Sequence, residues 1–191
     1  IRACLDNKET EKLAFAFGAP VILNANLRDG SLRQAVEEKG MPMLLYEAGE
    51  ALRFEEFAVR AGVKGILAVM RSIGMLTSRG IKKSRIQPVV AKSTSWIRAP
   101  GSGILRTHIP LGRKIKVNQK IGEIADPFDE GETAVISPVA GIVIGRLNLP
   151  LVHKGDALFH IASFDDSLAV SESLDEFKEE IGQPLPSSTG V

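Results

Sequence analysis

The sequence predicts an α/β unit followed by an all-β module. Residues 1–76 alternate between helical spacing and short apolar runs, the pattern of helices packed on a sheet. From residue 89 onward, strand signals recur every 8–12 residues with Gly and Pro between them. This second part contains an internal repeat that relates residues 99–125 to residues 137–162. Because neither copy can bury its apolar face alone, a pseudo-twofold β sandwich or small barrel is expected.

The first helix and the strand after it are marked by their end signals. Asn7 is a suitable N-cap for a helix over residues 8–17, and Gly18 stands just past its end. Residues 20–23 then form an apolar run that is typical of a buried strand.

A second helix and a central strand are predicted next. Ser31 and Gln34 have capping-box spacing, so their side chains are expected to satisfy each other's backbone donors at the start of a helix that runs to Lys39. The stretch Met43-Leu44-Leu45-Tyr46-Glu47 is a continuous apolar run that ends in one carboxylate. That pattern is typical of a central strand covered on both faces.

Helical spacing returns in the next segment, where Gly62 and Gly65 are expected to interrupt it. The apolar positions that carry this spacing are Phe54, Phe57, Ala58, Ala61, Ile66, Leu67, Met70 and Ile73. Residues 1–76 are therefore predicted to form one α/β domain.

The chain changes character after residue 76. Residues 77–88 are polar, basic and Gly-bearing, which is typical of a linker, and the β domain is expected to span residues 89–164. Residues 165–191 form an acidic tail, in which a short helix is predicted over residues 171–181 and the last ten residues are expected to be disordered.

The composition is that of an ordinary globular protein. Of the 191 residues, 44% are apolar and 25% are charged, which excludes wholesale disorder, a collagen-like chain and a disulfide scaffold. The apolar runs are far shorter than the roughly 18 residues of a membrane span, so no membrane partner is expected.

Cys4 is the only cysteine, which excludes an intrachain disulfide and favours the reducing cytoplasm. The chain begins with Ile1 and has no secretory signal pattern, so a fragment or processed piece is expected.

Charge is strongly polarised along the chain, although the formal net charge is only +1. Residues 79–122 contain eleven basic side chains and no acidic one, whereas residues 165–191 carry a net charge of −6. The two regions are able to pair with each other, and salt weakens such pairing. Clustered bases suggest nucleic-acid binding, but no aromatic side chains alternate with them to stack on bases. A solvated basic face is therefore favoured over a nucleic-acid partner.

Four stretches are informative when taken together: Leu45-Tyr46-Glu47-Ala48-Gly49-Glu50, Ile73-Gly74-Met75-Leu76, Ile121-Gly122-Glu123-Ile124-Ala125-Asp126-Pro127 and Ser137-Pro138-Val139-Ala140-Gly141-Ile142-Val143. In this order they resemble the succinylglutamate desuccinylase/aspartoacylase family of the zinc carboxypeptidase superfamily. The resemblance covers roughly residues 1–163. It implies the C-terminal portion of a zinc-carboxypeptidase-like mixed sheet with helices, followed by the β domain.

The resemblance implies a zinc hydrolase whose metal ligands, a His-x-x-Glu pair and a later His, lie in the first half of the catalytic domain. This sequence lacks that segment, so the ligands are expected upstream of Ile1, with one zinc in each full-length subunit. The histidines present, His108, His153 and His160, all lie in the β domain without metal-ligand spacing, and no metal is assigned to them. The 191 residues alone are therefore expected to be inactive.

In a zinc hydrolase, the metal polarises the amide carbonyl and activates a water, and a nearby carboxylate moves protons from that water to the leaving amine. The family's Glu-x-Gly motif makes Glu47 the expected catalytic carboxylate. Its position after an apolar strand agrees with this role, because ligands of open α/β sheets bind at the carboxyl ends of strands. Two alternatives stay open. Glu47 caps the next turn or pairs with a cation, or the catalytic residue is Glu50, which is ranked second because it is expected near Arg53 before a helix.

Substrates of this family carry carboxylates, so an arginine near the crevice is expected to hold one in a bidentate pair. Arg33 and Arg28, which precede the Glu47 strand, are the candidate substrate-binding residues. A solvated arginine at a helix start is the alternative for both.

The sequence thus predicts part of a zinc-dependent amide hydrolase or deacylase that acts on an N-acyl amino acid or similar small amide, in the cytoplasm, with a homo-oligomer as an open alternative. The rival hypothesis is a non-catalytic binding or assembly module, either carrier-like or basic-faced. The β domain resembles lipoyl and biotinyl carrier domains, but residues 126–133, where those domains display a modified lysine, contain no lysine. A carrier role is therefore disfavoured.

Overall fold

The computed structural model describes residues 1–80, 82, 84–128 and 131–182. The predicted disorder of the chain end concerns mostly residues 183–191, which lie outside the described residues, as do residues 129 and 130 of the 126–133 connection. The chain forms two compact units, one containing Ile1–Val90 with the described residues from Leu168 onward, and the other containing Ala91–Ser167. Within the described residues, no helix has the length and apolar character needed to cross a bilayer.

Helices and a small three-stranded sheet belong largely to the first unit. The helices are α1 (Lys8–Phe17), α2 (Leu32–Glu37), α3 (Glu56–Ser72) and α4 (Ser167–Gly182). The sheet contains β1 (Arg2–Ala3), β2 (Val21–Asn24) and β3 (Val89–Ala91) in the order β1-β2-β3, and β1 runs parallel to β2.

The first helix forms as predicted. Asn7 Oδ1 accepts hydrogen bonds from the backbone N–H groups of Glu9 and Thr10, so the N-cap is confirmed. Gly18 ends α1 in the left-handed conformation, with φ at +75°.

Only one of the two expected capping hydrogen bonds forms at the start of the second helix. Ser31 Oγ accepts a hydrogen bond from the backbone N–H of Gln34 at 3.2 Å. The side chain of Gln34, however, accepts from the backbone N–H of Gly30 and not from that of Ser31. The helix ends at Glu37, two residues before the predicted end.

The prediction of a central strand over residues 43–47 is wrong for this structure. Only Leu45 pairs, in an antiparallel bridge to Arg2 with N–O distances of 2.8 and 3.0 Å. Residues 43–46 are half-buried and Glu47 is exposed. Among the described residues this segment has one neighbouring strand and not two, so the apolar run indicated more burial than the unit provides.

The predicted interruption of α3 by glycines is also wrong, because α3 is one continuous helix of 17 residues. A Cβ at Gly65 would lie 2.4 Å from the Phe17 ring, and a Cβ at Gly62 would lie 3.0 Å from the Tyr46 ring. Both glycines therefore allow a close approach of aromatic rings to the helix backbone, and the packing outweighs the low helix propensity of glycine.

The second unit consists of two four-stranded sheets, ordered β10-β5-β7-β8 and β4-β11-β9-β6. Their strands are β4 (Ser93–Arg98), β5 (Gly103–Arg106), β6 (Lys114–Ile115), β7 (Lys120–Ala125), β8 (Glu132–Ile136), β9 (Gly141–Arg146), β10 (Leu151–Val152) and β11 (Ala157–Ser163). Both sheets contribute to one buried core, which includes Leu105 and Ile124 from the first sheet and Val143 and Phe159 from the second.

The two copies of the internal repeat make equivalent strand pairs. Ile104 pairs with Ala125 between β5 and β7, and Ile142 pairs with Ala162 between β9 and β11. A Cβ at Gly103 or at Gly141 would lie 2.3 Å from the carbonyl oxygen of the respective alanine. The repeat is therefore visible in the strand register, while a pseudo-twofold relation of the whole sandwich remains a prediction.

The acidic tail contacts the linker, residues 77–88, within the first unit. The described part of residues 77–88 contains no helix or strand, and Arg85 forms ion pairs with Glu176 at 2.9 Å and Glu179 at 2.8 Å on α4. Glu180 accepts from Ser84 Oγ at 2.9 Å and pairs with Lys64 at 2.7 Å. The acidic tail thus contributes a helix that is longer than predicted and is held by ion pairs.

Candidate active site

Glu47 lies on the face of the small sheet that is opposite α1. Side chains alternate along extended backbone, so Leu44 and Tyr46 share one face while Leu45 and Glu47 share the other. Leu44 packs against the buried cluster beneath α1, which consists of Ala3, Ala14 and Ile22.

Arg2 is the partner of Glu47. The distance from Arg2 Nε to Glu47 Oε2 is 2.5 Å, and the side chains are 25% and 59% exposed, respectively. The open alternative that Glu47 pairs with a cation is therefore observed. Among the described residues, Glu47 Oε1 has no hydrogen-bond partner. The arrangement holds one carboxylate oxygen and leaves the other available for a proton.

Glu50, the competing carboxylate, lies close to Arg53 as expected. Its Oε2 is 3.2 Å from Arg53 Nε. The N-cap of α3 is Glu55, however, so Glu50 lies outside the first helical turn and the expected interaction with the helix dipole does not apply.

Of the two candidate substrate-binding arginines, Arg33 is anchored at the opposite end of the strands from Glu47. Arg33 Nη2 donates to the carbonyl oxygen of Ala25 at 2.7 Å, just after the carboxyl end of β2. Because residues 43–47 run antiparallel to β1, Glu47 lies at the amino ends of β1 and β2. About four residues, or roughly 13 Å of strand, separate these two levels. Arg28 is exposed, and its side chain makes no hydrogen bond or ion pair with any described residue.

The histidines of the β unit are not arranged as metal ligands. His160 is buried in β11 and stacks on Trp96, with ring centroids 4.3 Å apart and an interplanar angle of 5°. Within the part of the chain that the structure describes, no group of three or more His, Cys, Asp or Glu side chains is placed to hold a metal ion.

Part of the basic region is compensated by acidic residues of the β unit. Arg106 pairs with Glu132, and also with Glu123 at 3.4 Å. Lys120 lies 2.7 Å from Glu123, and its hydrogen bond and charge lower the pKa of that carboxyl. Lys92 pairs with Asp165 at 2.8 Å, as predicted for the basic and acidic regions. Neighbouring strands thus supply counter-charges that a count along the sequence does not show.

Arg2 was not among the residues that the sequence pattern indicated as functional. Its strand β1 is only two residues long, too short for an alternating pattern to mark it. The relevant signal is a pairing across the sheet, since Arg2 meets Glu47 through the bridge to Leu45.

Known proteins match the chain by structure and not by sequence: no protein-family model and no curated protein matches it. A succinylglutamate desuccinylase/aspartoacylase from Rhodobacter sphaeroides is 22% identical at a TM-score of 0.70, and the match covers 84% of this chain and 50% of that one. The ectoine utilization protein EutE (DoeB) from Ruegeria pomeroyi is 19% identical at a TM-score of 0.75, covering 85% of this chain and 54% of that one. An aspartoacylase family protein from Mesorhizobium loti is 12% identical at a TM-score of 0.68, covering 86% of this chain and 57% of that one.

The chain spans about half the length of these structures. At such low identity the likeness establishes the fold and leaves activity open. The resemblance that the sequence motifs predicted is confirmed at this level: the chain has the mixed α/β fold of succinylglutamate desuccinylase/aspartoacylase structures over about half of their length.

Proposed function

We propose that the chain is part of an amide hydrolase of the desuccinylase/aspartoacylase type, which removes the acyl group from an N-acyl amino acid or a similar small amide. The observation that carries the proposal is Glu47, an exposed carboxylate that follows residues 43–46 and has one oxygen held by Arg2. The shared fold supports it, since the matched structures include a desuccinylase/aspartoacylase and an aspartoacylase family protein.

Glu47 acts as the proton-transfer group in this proposal. As a carboxylate it accepts a proton from the attacking water, and as a carboxylic acid it gives that proton to the nitrogen of the leaving amine, so it ends in its starting state. Arg2 binds Oε2 and restricts rotation of the carboxylate. The proton is then carried by Oε1, which no described residue engages.

Zinc is implied by the resemblance, but the residues of this chain do not fit it. The described residues hold no cluster of three metal-ligating side chains, and His160 is buried against Trp96. Because a catalytic zinc needs about three protein ligands at roughly 2.0–2.2 Å, we propose that they belong to the half of the matched fold that this chain does not cover.

The substrate class rests on carboxylate recognition. The Ruegeria pomeroyi protein is an ectoine utilization protein that has also been solved with a product bound. Arg33 remains a candidate for binding a substrate carboxylate, although its anchor on Ala25 lies about four residues along the sheet from Glu47 and the structure does not bring the two side chains together. Arg28 ranks below Arg33 as a substrate-binding candidate. A cytoplasmic location and a homo-oligomeric state stay predictions.

The proposal is tested with Glu47→Gln in a protein that contains this chain together with the other half of the matched fold, with Glu50→Gln as the matched control. We expect Glu47→Gln to keep the fold and the metal content while turnover falls by roughly 10²–10⁴, because the amide cannot transfer a proton. Glu50→Gln should retain turnover within a few-fold. Normal turnover of the Glu47 variant together with an inactive Glu50 variant would move the role to Glu50.

The 191-residue chain alone gives a second test. We expect it neither to bind zinc stoichiometrically nor to hydrolyse N-acyl amino acids, because no three ligands come together in its described part. Metal analysis that finds one tightly bound zinc per purified chain would contradict the assignment of the ligands. If the longer protein also shows no hydrolysis, the binding-module hypothesis replaces the enzyme.

A further inference from the structure

The guanidinium group of Arg2 is only partly used by the protein. Its Nε donates to Glu47 Oε2 at 2.5 Å. Among the described residues, its two terminal nitrogens, Nη1 and Nη2, have no hydrogen-bond partner, and neither is a buried atom. Both nitrogens are therefore open to solvent beside Glu47. Such a pair of terminal nitrogens forms a planar fork of donors that matches the two oxygens of a carboxylate.

The backbone of the small sheet holds this fork in place. Arg2 exchanges two backbone hydrogen bonds with Leu45, at 2.8 and 3.0 Å, and is in register with Leu23 of β2 on its other side. Directly opposite residues of an antiparallel pair share a face, so Arg2 lies on the face of Leu45 and Glu47. Because the sheet and the ion pair already restrict Arg2, less conformational entropy is lost when the fork binds an anion.

Two other arginines of this unit lack this combination. Arg33 donates one of its terminal nitrogens to the carbonyl oxygen of Ala25, so its fork is not free. Arg53 also meets a carboxylate through Nε, at 3.2 Å from Glu50 Oε2, but its side chain is 69% exposed and it lies outside the helices and strands. Arg2 is only 25% exposed, so its fork is both free and oriented.

The free donors of Arg2 lie close to the free acceptor of Glu47. Nη1 and Nη2 share Cζ with Nε, and Oε1 shares Cδ with Oε2, so one carbon on each side separates them from the contact between the two side chains. In the proposed function, Oε1 gives its proton to the leaving nitrogen. A substrate that also reaches the fork must carry an anion near that nitrogen. An α-carboxylate does so, because it is attached to the carbon bonded to the nitrogen, whereas a carboxylate at the far end of the acyl group is several bonds further away.

We propose that Arg2 recognises the α-carboxylate of an N-acyl α-amino acid, with Nη1 and Nη2 each donating to one carboxylate oxygen while Nε stays on Glu47. The inference rests on the proposed function, because that function places the leaving nitrogen at Oε1. Its consequence is selectivity: an amide without an α-carboxylate leaves the fork unpaired and is a poor substrate.

NMR of the arginine side chains in the 191-residue chain tests the site without zinc or hydrolysis. The probes are N-acetylglycine and N-acetylglycinamide, which have similar shapes, but only the first carries an α-carboxylate. In low-salt buffer, where screening is weak, N-acetylglycine should shift the Nε–Hε signal of Arg2 saturably and bind at least about ten-fold more tightly than the amide. Arg53 is the internal control, since its signal should not saturate. An equal response to both probes, no response at Arg2, or an equal response at Arg53 would overturn the inference.

Kinetics separate carboxylate binding from orientation of Glu47, in a protein that contains this chain together with the other half of the matched fold. Arg2→Lys keeps a cation beside Glu47 but removes the fork. For an N-acyl amino acid, this variant should lower kcat/KM by about 10–100-fold, mainly through KM. For the corresponding substrate with a carboxamide in place of the α-carboxylate, the loss should be only a few-fold. Arg53→Lys, the matched control, should change neither value.

The contrary outcomes distinguish this inference from the proposed function. Equal losses of Arg2→Lys on both substrates would mean that Arg2 only orients Glu47. Selectivity that is lost in Arg33→Lys instead would assign the α-carboxylate to Arg33. Either result overturns the inference and leaves the hydrolase standing. Selective binding of N-acetylglycine at Arg2 in a protein that hydrolyses neither substrate would refute only the enzymatic proposal.

Discussion

The two units of the chain differ in how completely they cover their apolar side chains. In the β unit, Ile115, Phe159 and Ile161 are fully buried in one core shared by both sheets. In the α/β unit, Phe54 and Leu52 are fully exposed, and the core beneath α1 is a small cluster of Ala3, Ala14 and Ile22 with a few half-buried neighbours.

The number of strands explains the difference. Eight strands in two layers are enough for the β unit to bury the inner face of each sheet. The α/β unit has a three-stranded sheet whose outer strand is met by a single bridge at Leu45, so among the described residues one sheet edge and one face of α3 stay open. The β unit therefore has a closed core and the α/β unit an open one. The two units should respond differently when a Gly→Ala substitution adds a methyl group.

The largest effect is expected where added volume meets backbone in the closed core. Gly141→Ala and Gly103→Ala each place a Cβ about 2.3 Å from a carbonyl oxygen, and Gly103 also has φ at +146°. Because backbone atoms on a paired strand cannot move aside, we expect each variant to lose about 3 kcal/mol or more of the free energy of unfolding, measured by urea denaturation.

Gly101→Ala is the matched control for these variants. Its new Cβ would make an ordinary contact of 3.9 Å with Thr133 Oγ1, so stability should change by less than about 0.5 kcal/mol. Similar losses at Gly103 and Gly141 are what a pseudo-twofold sandwich requires. A large loss at one glycine and none at the other would show that the two copies of the repeat are not equivalent.

Sequence signals were sufficient to predict the first helix and the β-strand character of the second unit. The N-cap at Asn7 and the end at Gly18 depend on residues close in sequence, whereas the repeat that relates Gly103 to Gly141 is a similarity between two stretches of sequence about 38 residues apart. The environment of residues 43–47 could not be predicted in this way, because burial of a strand depends on neighbours that the sequence pattern does not contain. The same pattern that predicts a central strand is compatible with a half-covered edge.

In the candidate site, too, some features could be predicted from neighbouring residues and others depend on residues far apart in sequence. A motif of adjacent residues singled out Glu47, and spacing alone indicated the Glu50–Arg53 pair. The partner of Glu47 could not be found from spacing, because Arg2 is 45 positions away and reaches it across the sheet. The distance of Arg33 from Glu47 likewise depends on the antiparallel direction of residues 43–47, which no local pattern specifies.

A smaller effect is expected where added volume meets a side chain in the open unit. Gly65→Ala brings a Cβ to 2.4 Å from the Phe17 ring, which must then shift against Tyr46, its aromatic neighbour at 5.3 Å. The strain of about 1–3 kcal/mol is offset by the roughly 1 kcal/mol that alanine gains over glycine in a helix. We expect a net loss of up to about 2 kcal/mol by thermal or urea unfolding. Gly62→Ala, with its contact at 3.0 Å, should be nearly neutral, and a larger loss at Gly62 than at Gly65 would contradict the packing described for α3.

The smallest effect concerns the ion pairs that hold α4 in the open unit. Burial by itself raises the pKa of Glu180, but hydrogen bonds and charge from Lys64, Ser84 and the backbone N–H of Arg85 outweigh it and hold the pKa below its ordinary value. The folded state thus binds this proton less readily than the unfolded state. The carboxylate contributes stability above the unfolded pKa, and this contribution is lost as the pH falls through the lower folded pKa.

Glu180→Gln should therefore lower stability by up to about 1 kcal/mol at pH 7, because solvent screens part of these ion pairs. It should also weaken the loss of stability below about pH 5. Both effects are measured by urea unfolding followed by the helical circular-dichroism signal. The matched control is Asp175→Asn on the same helix, whose pair with Lys178 is exposed and spans only three residues. Exposed pairs of this kind contribute less than about 0.5 kcal/mol, so the control should follow the parent chain at every pH. If the two variants shift the pH profile equally, α4 is held by its apolar contacts, such as that between Phe177 and Phe57, and the ion pairs with the linker are incidental.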